Sequence, residues 1–359
     1  MDKLFTIAPE EGQRPALLLA PPGDLGIGGA GCHAAASSRS LRAKLVAAAR
    51  DPAARPMIEE AVLALTPVLC VDTAEFEHIL LPPAQPGSAP ELLRRPDGYE
   101  RLASPDGLEL LAQVDTPVAA HMKDWKGLGW IGEKRANSEG EGIPVYGAAN
   151  VLASAGLVWQ WVRSLALRVA EAAGMAPAAR LAEQGVEVRR DILILNVYAG
   201  LGGATGTGSA EVILAMFSAA LDEIGVRGRA EIRLHLLGGS YHVAASEDER
   251  GAAVARAAGL LRRLRSYGSR RRTVSFGLPG GETLTIPPHL SYRFADTFFL
   301  HSALPGEPYP EFVRRVSIAV YHAEVGPRAA RLRLARANAP ARRNLFDDLR
   351  GKPRPDVAG

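Results

Sequence analysis

Short apolar runs alternate along the chain with longer segments in which apolar residues recur at helical spacing. The runs that predict strands are residues 16–20, 67–71, 191–198, 230–237 and 294–300, and a hairpin is predicted over 273–287. The periodic segments that predict helices are 32–50, 57–66, a stretch ending at 81, 151–173, 209–224, 247–266 and 310–335. Strands that alternate with helices are typical of an α/β fold, so we predict a mostly parallel sheet with helices on both faces.

The segment most informative about function is residues 199–210, Ala-Gly-Leu-Gly-Gly-Ala-Thr-Gly-Thr-Gly-Ser-Ala, which joins a predicted buried strand to a predicted helix. Its glycines let the backbone adopt positive φ and approach a ligand closely. Successive backbone N–H groups and the positive end of the helix dipole together favour an anion. Thr205 and Thr207 add hydroxyls that can hydrogen-bond phosphate oxygens. The segment therefore predicts a phosphate-binding loop.

A second glycine-rich segment, Gly26-Ile-Gly-Gly-Ala-Gly31, precedes the predicted helix 32–50. Residues 21–24, Pro-Pro-Gly-Asp, separate it from the predicted strand 16–20, and we interpret them as an insertion or a bent approach to the loop. Open parallel sheets bind ligands at the carboxyl ends of their strands. We expect both glycine loops to lie there, at the ends of neighbouring strands.

The second segment is also a literal G-x-G-x-x-G, so an oxidoreductase that binds NAD(P) is an alternative. That fold places an acidic residue about 20 residues beyond the loop. The acid that ends the second predicted strand, Asp72, lies about 40 residues beyond Gly31. Since this alternative also leaves residues 199–210 without a role, we consider it the weaker interpretation.

Composition argues against several classes of function. Of the 359 residues 47% are hydrophobic, but no apolar run reaches the length of about 18 residues expected of a membrane span. The net charge of +3 does not indicate nucleic acid as a partner. The two cysteines, Cys32 and Cys70, are too few for a zinc site or a disulfide framework. We therefore expect a cytoplasmic protein without a membrane span.

The loop Gly202-Gly-Ala-Thr-Gly-Thr-Gly208 resembles the tubulin signature, which in FtsZ and the tubulins reads close to Gly-Gly-Gly-Thr-Gly-Thr/Ser-Gly. Residues 26–34 resemble the first phosphate loop of this family, and Val71-Asp-Thr73 resembles the turn that approaches the nucleotide or its metal. Gly147-Ala-Ala-Asn150 is similar to the loop that closes over the γ-phosphate. With its large insertion, the chain looks most like the divergent bacterial tubulin-like proteins.

The resemblance implies a tubulin/FtsZ-type domain, Rossmann-like in architecture, that binds GTP or GDP with Mg²⁺. It implies nucleotide binding by Gly28, Gly29, Ala30, Gly31, Cys32, Asp72, Ala149, Asn150, Gly200, Gly202, Gly203, Ala204, Thr205, Gly206, Thr207 and Gly208. We assign neither a catalytic residue nor a protein ligand of the metal. The family recognises guanine partly through Asn side chains, and His301-Ser302 stands in one of their places, so guanine selectivity rests on the resemblance.

The resemblance also implies a domain organisation. Residues 1–335 would form the GTP-binding domain, with an insertion at about 82–142, and residues 336–359 would form a tail rich in Pro and Arg. The C-terminal domain that follows in FtsZ and tubulin is not expected. Asp347 and Asp348 are the best candidates for the acids that complete GTP hydrolysis in a neighbouring subunit.

Two functions of different classes follow from these observations. The first is a GTP-binding protein of the tubulin/FtsZ type, with GTP hydrolysis and self-association into cytoskeletal filaments. The second is a non-catalytic scaffold that responds to nucleotide and interacts with other proteins. Turnover of GTP and assembly of the chain distinguish the two.

Overall fold

The computed structural model describes residues 17–84, 87–103, 106, 143–172, 174–189, 192–238, 247–269, 274–277, 283–286 and 295–324. Its strands are β1 (Leu17–Leu19), β2 (Pro22–Ile27), β3 (Val68–Asp72), β4 (Ile79–Leu81), β5 (Glu91–Leu93), β6 (Tyr99–Arg101), β7 (Val186–Val188), β8 (Leu193–Gly200), β9 (Ala230–Leu237), β10 (Val274–Gly277), β11 (Thr283–Ile286) and β12 (Thr297–His301). Its α-helices are α1 (Gly28–Ala48), α2 (Arg55–Leu65), α3 (Pro144–Ala153), α4 (Ala155–Ala172), α5 (Ala176–Glu183), α6 (Ala204–Glu223), α7 (Glu247–Ser269) and α8 (Tyr309–Glu324).

Six of these strands form one sheet, in the order β12-β9-β8-β2-β3-β6. Every neighbouring pair of strands in this sheet is parallel. Helices cover both faces: α1 and α8 pack on one face, and α3, α4 and α6 pack on the other. This confirms the predicted fold class, an α/β fold with a mostly parallel sheet between two helical layers.

Successive side chains of the central strands point to opposite faces of the sheet. On β8, Leu195 and Val197 pack against the layer of α3, α4 and α6. Asn196 and Tyr198 lie on the opposite face, toward α1 and α8, and both contact Asp24 of the neighbouring strand β2. One face of the sheet is therefore purely apolar at this point, whereas the other buries polar side chains.

The helix α6 is the apolar centre of the fold. In the part of the chain that the structure describes, it is the one helix with the length and hydropathy of a membrane span, and its apolar stretch is wholly buried inside the protein. Burial of apolar side chains is the main force that favours folding. The hydropathy of α6 is thus explained by its place between the sheet and neighbouring helices.

The strand that leads into the first glycine loop is β2, and not residues 16–20 as predicted. β1 pairs with β7 outside the main sheet. Pro22, which lacks an N–H, takes the first position of β2, where a strand tolerates proline. A Cβ on Gly23 would collide with Val169 of α4, so the glycine lets this helix pack closely on the strand. The residues interpreted as an insertion are therefore the strand itself.

Two further predicted elements differ in the structure. In place of a helix that ends at residue 81, β4 pairs with β5 in an antiparallel hairpin, because three apolar residues before a proline pair are too short a run to define a helix. The loop expected at residues 147–150 lies inside α3, whose Pro144 occupies the first turn, a favoured position for proline.

The predicted insertion at 82–142 contains one strand of the main sheet. Within it, β6 pairs with β3 and forms an edge of the sheet. Residues 107–142 and the predicted tail at 336–359 lie outside the described residues, as do Asp347 and Asp348. The predicted division of the chain into domains therefore stays a prediction.

Candidate functional site

A cleft of about 480 Å³ opens at the carboxyl ends of β2, β3 and β8. Its walls come from the starts of α1, α6 and α8 and from the segment that follows β3. The lining residues are Gly28, Gly29, Ala30, His33, Asp72, Ala74, Glu77, Gly200, Gly203, Ala204, Thr205, Gly206 and Tyr309. The cleft thus lies at the edge of the sheet where parallel α/β folds bind their ligands.

Two helices begin at this cleft. α1 follows β2 directly, whereas three residues separate the end of β8 from the start of α6. No side chain caps the start of either helix. The first N–H groups of a helix have no acceptor within it, and the helix dipole places partial positive charge there. The two starts together therefore favour a bound anion such as phosphate.

The two helix starts meet backbone to backbone. Gly28 has a φ of +73°, and a Cβ on this residue would lie 2.9 Å from the backbone nitrogen of Gly206. A Cβ on Gly206 would in turn collide with the carbonyl oxygen of Gly200. A side chain at Gly28 would push the two helix starts apart, and one at Gly206 would distort the loop after β8, so close backbone packing explains the glycine at each position.

Among the described lining residues, the charged side chains are those of two acids, Asp72 and Glu77. Asp72 is 4% exposed, and its Oδ1 accepts a hydrogen bond of 2.8 Å from the N–H of Thr73. The hydroxyls of Thr73 and Thr205 lie 3.1 Å apart and connect the β3 side of the cleft to α6. An anion in this cleft would therefore interact with backbone dipoles, because the described lining residues include no lysine or arginine.

The corner formed by Asp72, Thr73 and Thr205 has the oxygen chemistry that Mg²⁺ prefers. Within the described residues, no group of three His, Cys, Asp or Glu side chains could hold a metal ion. Magnesium commonly binds through one or two protein oxygens, water and the phosphates of a nucleotide. The residues present fit that kind of site, in which the ligand supplies most of the coordination.

His33 joins two further walls of the cleft. Its Nε2 lies 2.7 Å from the carbonyl oxygen of Glu77, and its Nδ1 lies 2.7 Å from the hydroxyl of Tyr309, the first residue of α8. Phe76 packs edge-on against the imidazole, with ring centroids 4.9 Å apart. Burial lowers the pKa of His33, so the ring is neutral near pH 7.

Many of the residues predicted from the sequence line this cleft. They are Gly28, Gly29, Ala30, Asp72, Gly200, Gly203, Ala204, Thr205 and Gly206. Gly31 and Cys32 are instead the fourth and fifth residues of α1, where Gly31 packs on the carbonyl oxygen of Tyr198 and the Cys32 thiol faces the carbonyls of Gly26 and Val71. These two residues pack α1 against the strands and do not contact the cleft.

The remaining predicted residues do not line the cleft. Gly202 and Thr207 are absent from its walls, and Thr207 donates its hydroxyl to the carbonyl of Gly203 within α6. Gly208 packs against α3, the helix that also contains Ala149 and Asn150. The side chain of Asn150 is fully buried, and neither its oxygen nor its nitrogen has a hydrogen-bond partner in the described chain.

Three lining residues were not predicted: Ala74, Glu77 and Tyr309. Ala74 and Glu77 follow the strand β3, and Tyr309 begins the helix after β12. All three come shortly after the carboxyl end of a parallel strand, which is a signal that the sequence contains. His33 also lines the cleft and lies in the segment 26–34, but its role as a bridge depends on tertiary contacts.

A buried charged cluster lies on the polar face of the sheet and consists of Asp24, Arg42, Asn196 and Glu324. Arg42 donates hydrogen bonds of 2.8 and 3.3 Å to Asp24 and one of 2.8 Å to Glu324. The amide of Asn196 donates to both carboxylates. Burial alone would lower the pKa of Arg42, but the two carboxylates raise it above its ordinary value. The charged cluster thereby ties α1 and α8 to the two central strands.

A pair of histidines extends this cluster toward the sheet edge. His235 Nε2 lies 3.3 Å from Oδ1 of Asn196, and His235 Nδ1 lies 3.1 Å from Nε2 of His301. The amide oxygen can only accept, so His235 donates to Asn196 and accepts from His301. Burial, and then the charge of Arg315, lowers the pKa of His301 to about 4, and burial lowers that of His235 well below its ordinary value. Both rings are therefore neutral near pH 7.

Comparison with solved structures gives a structural likeness. No protein-family model matches the chain, and no curated protein sequence does. A solved structure of CetZ2 from Haloferax volcanii, a GTPγS-bound protofilament, matches with 14% sequence identity and a TM-score of 0.38. The match covers 88% of this chain and 62% of that chain, so this chain spans less than two thirds of the CetZ2 chain. A likeness at this level identifies neither the ligand nor the assembly of the present protein.

Proposed function

We propose that this chain binds a guanine nucleotide with Mg²⁺ in the cleft, as a protein of the tubulin/FtsZ type. The observation that carries the proposal is the contact between Gly28 and Gly206, which brings two uncapped helix starts together at one point. A single helix start accommodates one anionic group, and two adjacent starts suit a chain of phosphates. The tubulin-like signature at 202–208 supports the same assignment, since Gly203 to Gly206 line the cleft.

In this proposal each part of the site has one task. Backbone N–H groups at the starts of α1 and α6 bind phosphate oxygens. Asp72 and the Thr205 hydroxyl would hold Mg²⁺, which would neutralise phosphate charge when bound. Since the described lining residues include no lysine or arginine, binding of a triphosphate depends strongly on the metal.

Titration calorimetry of the purified chain tests the proposal. GTP, GDP, ATP and NAD are titrated with Mg²⁺ and, in parallel, with EDTA. We expect Mg²⁺-dependent binding of GTP or GDP, and weak or no binding of NAD. Failure of a folded protein to bind any guanine nucleotide would overturn the proposal, whereas tight NAD binding would favour the oxidoreductase alternative.

GTP hydrolysis and filament formation are further parts of the proposal that rest on the resemblance of the two glycine loops to those of FtsZ and tubulin. Sedimentation of the chain with and without GTP measures assembly, and release of phosphate measures turnover. GTP-dependent pelleting with turnover supports a cytoskeletal GTPase. Nucleotide binding without pelleting or turnover supports the non-catalytic scaffold.

A further inference from the structure

His33, Glu77 and Tyr309 form one part of the cleft wall, and we refer to this part as one end of the cleft. There the His33 imidazole fixes the direction of two hydrogen bonds. The carbonyl oxygen of Glu77 can only accept, so Nε2 of His33 carries the hydrogen and donates it over 2.7 Å. Nδ1 is then an acceptor, and the hydroxyl of Tyr309 must donate to it over 2.7 Å. The ring is 4% exposed, so solvent does not compete for these bonds. The donor of the Tyr309 hydroxyl is therefore directed away from a ligand in the cleft.

This end of the cleft consequently presents acceptors to a ligand. The Tyr309 hydroxyl donates its hydrogen bond to His33, so its oxygen can only accept from a ligand. The carboxylate of Glu77 likewise only accepts. Glu77 is exposed and lines the cleft, and its contact with His33 uses the backbone carbonyl rather than the side chain. Among the described residues the Glu77 carboxylate makes no hydrogen bond or ion pair, which leaves it available to a ligand in the cleft.

We propose that Glu77 selects guanine over adenine at this end of the cleft, and this inference rests on the proposed nucleotide binding. Guanine carries two adjacent donors, N1–H and the 2-amino group, which match the two oxygens of a carboxylate. Adenine carries an unprotonated N1 beside its 6-amino group, so one of its two positions would direct a lone pair at the carboxylate. A site built for a hydrogen bond strongly rejects the analogue that lacks the matching group.

Calorimetry with a graded set of ligands tests the role of Glu77. The ligands are GTP, ITP (which lacks the 2-amino group), XTP (which has an oxygen there), ATP and inorganic tripolyphosphate, all with Mg²⁺. We expect GTP to bind about 10- to 100-fold more tightly than ATP or XTP, with ITP between them, because hydrogen bonds to a charged group have this size. Tripolyphosphate has no base and reports on the phosphate end alone.

The variant Glu77→Gln separates base selection from phosphate binding. It should weaken GTP binding about tenfold or more, improve XTP relative to GTP, and leave tripolyphosphate binding unchanged. Glu75→Gln is the matched control, because Glu75 is an exposed acid on the same segment that pairs with Arg101 outside the cleft. Circular dichroism and thermal melting of both variants verify that they fold.

The outcomes distinguish the two proposals. If nucleotides bind but GTP shows no preference over ATP, or Glu77→Gln behaves like Glu75→Gln, the inference about Glu77 is wrong and nucleotide binding stands. If neither nucleotides nor tripolyphosphate bind the folded chain, nucleotide binding itself is wrong, and the inference is lost with it.

Discussion

Gly28 and Gly206 lie in different loops, 178 positions apart in sequence, and approach so closely that a Cβ on Gly28 would lie 2.9 Å from the nitrogen of Gly206. This contact joins the starts of α1 and α6 into one surface. It exists because Gly28 also adopts a left-handed φ of +73°, which residues with a Cβ rarely take.

Replacing Gly28 by alanine should therefore weaken phosphate binding as well as stability. The left-handed conformation costs an alanine roughly 1–2 kcal/mol, and the added Cβ would move α1 away from α6. We expect a loss of more than about tenfold in affinity for Mg²⁺–tripolyphosphate, equivalent to 1.4 kcal/mol. Gly228→Ala is the control, since nothing lies near a Cβ at that glycine. Equal effects of the two substitutions would contradict the structural role of Gly28.

Arg42 is expected to be the most sensitive position of the buried charged cluster. Arg42→Met leaves Asp24 and Glu324 buried without their cation, which costs about 3–5 kcal/mol in comparable sites. Urea unfolding measures the loss. Arg163→Met is the control, because Arg163 pairs with Glu223 at the surface, where an ion pair contributes about 0–1 kcal/mol. A loss below 1 kcal/mol for Arg42→Met would mean that the cluster does not stabilise the fold.

Two buried asparagines should respond in opposite directions to the same substitution. Asn150 buries an amide without hydrogen-bond partners, a state that costs roughly 1–3 kcal/mol, so Asn150→Leu should raise the melting temperature. Asn196 donates to Asp24 and Glu324, so Asn196→Leu should lower it. Thermal melting of both variants measures the signs. A lower melting temperature for Asn150→Leu would contradict this prediction.

Because His235 and His301 are buried in the neutral form, we expect the free energy of unfolding to fall in mild acid. Their pKa values in the folded protein lie below the ordinary value of about 6.5, so the unfolded chain binds protons first as the pH falls. Their contribution is fully present above pH 6.5 and declines toward pH 4, by up to about 1.4 kcal/mol per pH unit for each fully titrating histidine. Urea unfolding at several pH values from 7 to 4, compared with His301→Gln, measures the slope. Parallel slopes for the two proteins would exclude a role for His301.

Much of the fold follows from local patterns in the sequence. The run that forms β8 is apolar except for Asn196 and borders a glycine-rich loop, so both its type and its end could be predicted. β2 escaped prediction because Pro22, Gly23 and Asp24 are poor strand formers in isolation. Their conformation is fixed by neighbours, since Asp24 is buried against Arg42 and Gly23 lies under Val169.

The glycine-rich backbone segments of the candidate site could be predicted from the sequence. The side chains that only tertiary contacts bring to the cleft could not. Glycines 28 and 206 are marked in the sequence by the loops that contain them. Glu77 and Tyr309 carry no local motif, and they reach the cleft only because β3 and β12 lie in the same parallel sheet. Asn150 shows the converse, since a segment similar to a family loop lies inside the helix α3.

The buried charged cluster also constrains how this sequence can change over evolutionary time. Its four side chains come from four different elements, β2, α1, β8 and α8, and each one satisfies at least two others. Loss of Arg42 leaves two buried carboxylates without their cation, and loss of any other member leaves a buried polar group short of a hydrogen-bond partner. Joint replacement by apolar residues can be nearly neutral. Single substitutions at these four positions are therefore selected against. Relatives of this protein should retain the four residues together or have exchanged them together.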